Sequence, residues 1–288
     1  MTILTDITPQ QSVRARSHLG ACGVAWMSIG FFSVLMIAGV VNVWLAVSGV
    51  IPLWAGCVIS IVVLYYLEHI NHEAVHGNIS GADTQWRWLN ELIGHVGNFW
   101  MFLPLPAFRA VHFAHHRSTN HPELDCDMWF ARKTRLGVAV RCSTLLLGYE
   151  ITLQRLAKLG LVEKGAMTTI YATRALWLAI IGAAIYFGYG TEVLMLWVLP
   201  ALLAMPVLAF LFAFIVHHPH SSKERYQASN VFVSDNKFVH NIMTAIFLFQ
   251  NYHLVHHLHP RLPFYRYGEA FRELRPQLER KNANITQV

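Results

Sequence analysis

Two stretches of the chain leave it few ways to fold. From Leu19 to Leu67 there is not one Asp, Glu, Lys or Arg, and from Ala175 to Val216 Glu192 stands alone. The hydrocarbon core of a bilayer, about 30 Å thick, takes roughly 20 apolar residues per helical crossing, so each stretch is long enough to cross and return. Turn residues sit where the return belongs, at Ser48-Gly49-Val50-Ile51-Pro52 and at Gly188-Tyr189-Gly190-Thr191-Glu192. The pattern predicts two membrane hairpins, with spans over residues 24–47, 52–70, 170–187 and 193–216. Helices apolar on every face and paired through short turns argue against a buried soluble core.

Charge sets the expected orientation. None of the 22 Lys and Arg falls in either hairpin turn. Cytoplasmic loops collect positive charge, so segments 1–23, 71–169 and 217–288 are expected on the cytoplasmic face, both termini included. The first 20 residues read as a retained tail, because the span behind them is too long for a signal peptide. The formal charge of +6 then forms a one-sided field toward anionic lipid and an acidic partner. Nucleic acid is not an expected partner, since no basic stripe interleaved with aromatics is present. The four cysteines form no CxxC pair and are expected to be reduced structural thiols. A single domain over 1–288 is expected.

The chemistry is carried by histidine. Of the 17 histidines, all but His18 lie between His69 and His259. Box one, "HEAVH", holds His72 and His76; box two, "HFAHH", holds His112, His115 and His116; box three, "HLVHH", holds His253, His256 and His257. On a helix, residues three and four apart share a face, so each box aims its imidazoles at one point. The predicted topology delivers all three boxes to one membrane surface. A catalytic zinc takes three protein ligands, so eight imidazoles imply two metals. Imidazole suits Fe, Cu, Zn or Ni, and spacing alone does not choose among them. "HHPH" directly follows the fourth span and offers a ninth ligand, His220 in preference to His217. His69, His95, His121, His240 and His259 read as hydrogen-bonded structural residues, with His69 also placed to support His72.

These three boxes, in order around two hairpins, resemble the integral-membrane fatty acid desaturase and hydroxylase superfamily. Within it, "QNYHLVHHLHPRLPFYRYGEAF" from Gln250 and "RAVHFAHHRSTNHPELDCDMW" from Arg109 are most similar to desaturase-like β-carotene hydroxylases. The resemblance implies an all-α integral membrane protein: four transmembrane helices as two hairpins, with a cytoplasmic helical cap carrying a dimetal site. It makes His72, His76, His112, His115, His116, His253, His256 and His257 iron ligands, with His220 as a further ligand. It implies an O2-dependent diiron oxidoreductase that desaturates or hydroxylates a long apolar lipid, a fatty acyl chain or a carotenoid ring. Asp125, Asp127, Glu68, Glu73, Asn120 and Asn251 are candidates to steady the imidazoles, although Asp125 and Asp127 also suit a solvated pair with Arg132 or Arg135. Electrons are expected from an external carrier such as a ferredoxin, because no GxGxxG fingerprint or iron–sulfur cysteine set is present.

The HExxH of box one is also the mark of a zinc protease, with Glu73 as general base. That reading leaves the other six box histidines without a role. A transporter would place ionisable groups mid-span, and a haem protein would place facing histidines there; neither pattern occurs. Residues 136–158 read as an amphipathic helix lying on the membrane, and the segment after Tyr267 reads as a surface helix interrupted at Pro276.

Overall fold

The structure, a computed structural model, describes residues 22–288. The expected N-terminal tail lies outside the described residues.

The first hairpin consists of α1 (Trp26–Val47) and α2 (Leu53–His76). Buried Asn42 of α1 donates through Nδ2 to the Gly56 carbonyl at 2.9 Å and to Ser60 Oγ at 3.0 Å, binding the two helices where no water competes. α2 runs past the expected span end at residue 70 and carries box one as its final turns. Gly77, with φ of +74°, takes the left-handed position that closes it.

α3 (Arg87–Trp100) then packs against α2, and Gly97 is what lets it come close. A Cβ on Gly97 would lie 1.8 Å from Asn71 Oδ1. Gly97→Ala is therefore expected to lower stability by about 1–3 kcal/mol, as overpacked cores do, and a lowered melting temperature in detergent is the check.

α4 (Leu105–Arg117) carries box two. The amphipathic stretch expected over 136–158 is two helices, α5 (Arg135–Ser143) and α6 (Leu145–Lys158), bent by 71° relative to each other. The break falls at Thr144, whose Oγ1 accepts from Trp129 Nε1 at 3.3 Å. Trp129 also fills the space over Gly148, where a Cβ would meet its ring at 2.5 Å. A second hairpin follows: α7 (Ala166–Tyr186) and α8, a continuous helical run over Gly190–His217. α1, α2, α7 and α8 are the four helices long and apolar enough to cross a membrane, as the charge-free stretches predict. Arg174, inside α7, pairs with Glu150 of α6.

After α8 come β1 (Asn230–Val233), the amphipathic α9 (Lys237–Ile246), α10 (His253–Leu258) with box three, α11 (Tyr267–Arg280) and β2 (Asn284–Gln287). β2 pairs with β1 in parallel, Asn230 opposite Asn284, a small sheet that the helical pattern did not foretell. α11 is not interrupted at Pro276. Pro276 and Arg272, whose carbonyl the proline frees, are both exposed, so the lost hydrogen bond falls on the solvent side of the helix. Ile70, Leu254, Val255, Leu262 and Tyr267 form one buried cluster that fastens the box-three segment onto the end of α2.

Candidate metal centre

The histidines meet at one end of the spans in two adjoining groups. His72 and His76 from α2, His112 and His116 from α4, and His256 from α10 form the first. His115 from α4, His217 from the end of α8, and His253 and His257 from α10 form the second. Within each group the ligand atoms lie within 4.8 Å of one another. The helical repeat divides the boxes: His112 and His116, four apart, share one face, and His253 and His257 share another. His115 and His256, one step round the helix, enter the opposite group. The rings of His116 and His257 stack at 4.3 Å between centroids and join the two.

The nitrogens facing inward are the informative ones. His217 Nδ1–H donates to the Ala228 carbonyl at 2.9 Å, His253 Nδ1–H to Gln250 Oε1 at 2.6 Å, and His115 Nδ1–H to Asp125 Oδ1 at 2.7 Å. All three partners accept only, so in the neutral ring each Nε2 is a bare lone pair. Yet His217 Nε2 sits 2.9 Å from His253 Nε2, and His257 Nε2 sits 3.1 Å from the Nε2 atoms of both His115 and His253. In the first group His76 and His112 approach to 2.7 Å, His116 and His112 to 3.1 Å, and His256 and His116 to 3.0 Å, again through Nε2. Between His217 and His253, where both lone pairs are bare, so close an approach repels. A separation of about 3 Å is what two nitrogens adopt when bound at right angles, about 2.1 Å from one cation. The donor set therefore fits a metal ion in each group.

The surroundings of five of the rings hold them in the form that binds metal, whereas His115 must give up its Nε2 proton to do so. Burial pushes the pKa values of His112, His116, His253, His256 and His257 well below the usual histidine range, so these rings stay neutral. At His115 burial also pulls downward, but the Asp125 and Asp127 carboxylates outweigh it and hold the pKa up at about 9. Asp125 is buried and saturated: Oδ2 accepts from the Asn120 backbone N–H at 2.6 Å, and Oδ1 from that of Asp127 at 2.9 Å as well as from His115. Asp127 Oδ2 lies 3.6 Å from His115 Nδ1. Neither aspartate pairs with Arg132 or Arg135. Tyr267 OH meets His256 Nδ1 at 2.8 Å.

His220 lies outside both groups. It is buried, its ring centroid 6.2 Å from that of His217 and 5.7 Å from that of Phe214. The structure brings His217 rather than His220 into the second group, because His217 still belongs to α8 whereas His220 follows the turn. Among the lone histidines, His240 meets Tyr252 OH at 2.6 Å, and His121 Nδ1 accepts from two backbone N–H groups. His69 is buried edge-on against Phe264, one turn before His72, with no hydrogen bond.

Glu73 faces away from the imidazoles. Its Oε1 accepts from Asn78 Nδ2 at 3.1 Å and its Oε2 from the Phe264 N–H at 3.4 Å, tying box one to the segment after box three. Glu73→Gln keeps an acceptor there, so its activity loss is expected to be far smaller than the roughly 10²–10⁴-fold that follows loss of a general base. Turnover and bound metal, measured together, decide between them. Asn120 and Asn251 support the loops instead of the imidazoles, Asn120 Nδ2 donating to the Ser222 and Ala228 carbonyls and Asn251 Nδ2 to that of Phe232.

A narrow cavity of about 70 Å³ reaches His72, His112, His115 and His253 between α2, α4, α6 and α8. Its walls are mostly apolar, including Phe108, Leu145, Leu208 and Phe212, with Glu68 and Tyr149 among the polar exceptions.

A helical scaffold with four apolar spans, gathering nine imidazoles into two adjoining groups at one end, defines a class of membrane protein equipped to hold metal. The model of the fatty acid desaturase family matches residues 42–288, and the chain belongs to that family. It is 22% identical over 277 residues to the chloroplastic omega-3 fatty acid desaturase of Ricinus communis and 24% over 281 residues to that of Glycine max. To the endoplasmic reticulum omega-3 fatty acid desaturase of Nicotiana tabacum it is 23% identical over 237 residues. These alignments cover 85%, 86% and 73% of this chain, but 57%, 58% and 61% of the relatives. The chain thus spans less than two thirds of the length of the curated relatives it matches.

Proposed function

We propose that this protein is a membrane lipid desaturase whose two histidine groups each hold one iron. The observation that carries the reading is the convergence of imidazole Nε2 atoms at about 3 Å in both groups, with the Nδ1–H of His217 and His253 spent on acceptors, in a chain of the fatty acid desaturase family. His72, His76, His112, His116 and His256 hold one iron; His115, His217, His253 and His257 hold the other. Two irons supply the redox chemistry by which O2 attacks an unactivated C–H bond. The chain's own part is to fix each ring, to exclude water by burial, and to place a substrate carbon. Asp125, Ala228 and Gln250 fix the rings through Nδ1. The apolar cavity admits only a few carbons at the metals, so a long acyl chain presents one short stretch at a time.

The similarity to omega-3 fatty acid desaturases favours an acyl chain over a carotenoid ring as substrate. The cytoplasm is the side on which the metal centre lies, a reading supported by the absence of Lys and Arg from both hairpin turns. Electrons come from an external carrier such as a ferredoxin, drawn to that basic face. The test is product analysis in hosts with and without carotenoids, against a His115→Ala control. New unsaturation in the fatty acids that the control lacks supports the proposal. New xanthophylls with unchanged fatty acids would replace it with carotenoid hydroxylation.

A further inference from the structure

The last span stands between two cavities. Met205, Leu208 and Phe212 turn one side of α8 toward the metal centre, whereas Val207, Phe210 and Phe214 turn the other side toward α5. That second side lines a groove of about 680 Å³. Val138, Ala139 and Cys142 of α5 contribute its opposite wall. Phe214 is within one turn of His217, so the groove opens at the metal end of the span, where hydrocarbon gives way to headgroups.

The mouth of the groove is cationic. Arg132, Lys133 and Arg135 line it and are exposed. None of the three makes an ion pair among the described residues, and no Asp or Glu lines the groove. Three uncompensated cations at the end of an apolar slot ask for a ligand that is anionic at one end and apolar beyond it.

We infer that the groove binds an anionic phospholipid, with its phosphate among Arg132, Lys133 and Arg135 and an acyl chain along Val138, Val207, Phe210 and Phe214. Charge complementarity selects this occupant. A zwitterionic lipid sets an ammonium against its own phosphate, and a free phosphate leaves the apolar slot unfilled. Each basic residue near an anionic lipid surface adds roughly fivefold to binding, so three amount to on the order of 10²-fold. The site goes beyond the proposed desaturase reaction, because α8 separates its occupant from the imidazoles. It is a lipid-binding site in its own right.

Native mass spectrometry of the detergent-purified full chain, titrated with equimolar phosphatidylglycerol and phosphatidylcholine of matched acyl chains, tests the inference. Wild type is expected to retain phosphatidylglycerol preferentially. The triple variant Arg132→Gln, Lys133→Gln, Arg135→Gln is expected to lose that preference by about tenfold or more, and Arg135→Gln alone to lose part of it. Removing three charges elsewhere, at Arg272, Arg275 and Arg280, is expected to leave it intact. Ala139→Phe, which fills the groove and keeps the cations, is expected to lower retention of both lipids. Unchanged preference in His217→Ala separates the groove from the metal centre. Equal retention of the two lipids by wild type, an unaffected triple variant, or displacement of the lipid by millimolar inorganic phosphate alone would each overturn the proposal.

Discussion

On the proposed two-iron function, replacing His217 by alanine is expected to empty one metal position, lowering bound iron from about two per chain to about one and removing nearly all product. His217 supplies one of only four imidazoles in its group, and its Nε2 lies 2.9 Å from that of His253. The five-histidine group keeps every ligand. The loss of turnover should exceed the roughly 10–100-fold that follows removal of a residue that only supports a ligand. His220→Ala, three positions on, is expected to keep both irons and most activity, since His220 lies outside both groups. The pair decides the ninth ligand: iron lost from His220→Ala and kept by His217→Ala would return that role to His220. Metal analysis of purified protein beside fatty-acid profiling of the expressing cells provides both readouts.

Asp125→Asn is expected to weaken iron binding by about 10–100-fold while leaving every imidazole in place. The carboxylate accepts from His115 Nδ1–H and from two backbone N–H groups, all in a buried site. An amide keeps one acceptor oxygen but turns a donor toward one of those N–H groups. With its oxygen at Oδ1 the amide sets a donor against the Asn120 N–H and leaves His115 a weaker, neutral acceptor; turned the other way it faces His115 with a donor and favours the tautomer whose Nε2 proton blocks coordination. Competition with a calibrated chelator measures the affinity. An affinity equal to wild type would show that Asp125 merely closes the loop after box two.

The spans and the boxes were readable in the sequence because each rests on a strong local signal. A bilayer tolerates few charges, so the empty runs before Leu67 and after Ala175 mark four helices almost by themselves, and imidazoles three and four apart share a helical face. What was not readable depends on contacts between distant segments. His217 and His220 differ in sequence only by sitting immediately before and immediately after the His218-Pro219 pair. Their fates are decided by where α8 ends and by the Ala228 carbonyl, which is brought close by tertiary packing. The Asp125 and Asp127 pair suited a surface arginine as well as a buried imidazole, and spacing is blind to depth. Thr144 and Trp129 break the 136–158 segment through a contact fifteen residues long, which periodicity within the segment does not show. Pro276 looked like a stop, but the hydrogen bond that its ring removes falls on the exposed side of the helix.

The small sheet has a consequence for how the protein is made. The Ala228 carbonyl that holds His217 sits two residues before β1, and β1 finds its partner β2 only at Asn284, after all three histidine boxes. His253, His256 and His257 are themselves in the last fifth of the chain, with Tyr267 behind them to meet His256. A ribosome releasing this chain in order inserts every span before either ion site has its full set of ligands. On the proposed function, a nascent chain arrested before box three keeps four of the five imidazoles of the first group but only His115 and His217 of the second, so the second position is expected to load last.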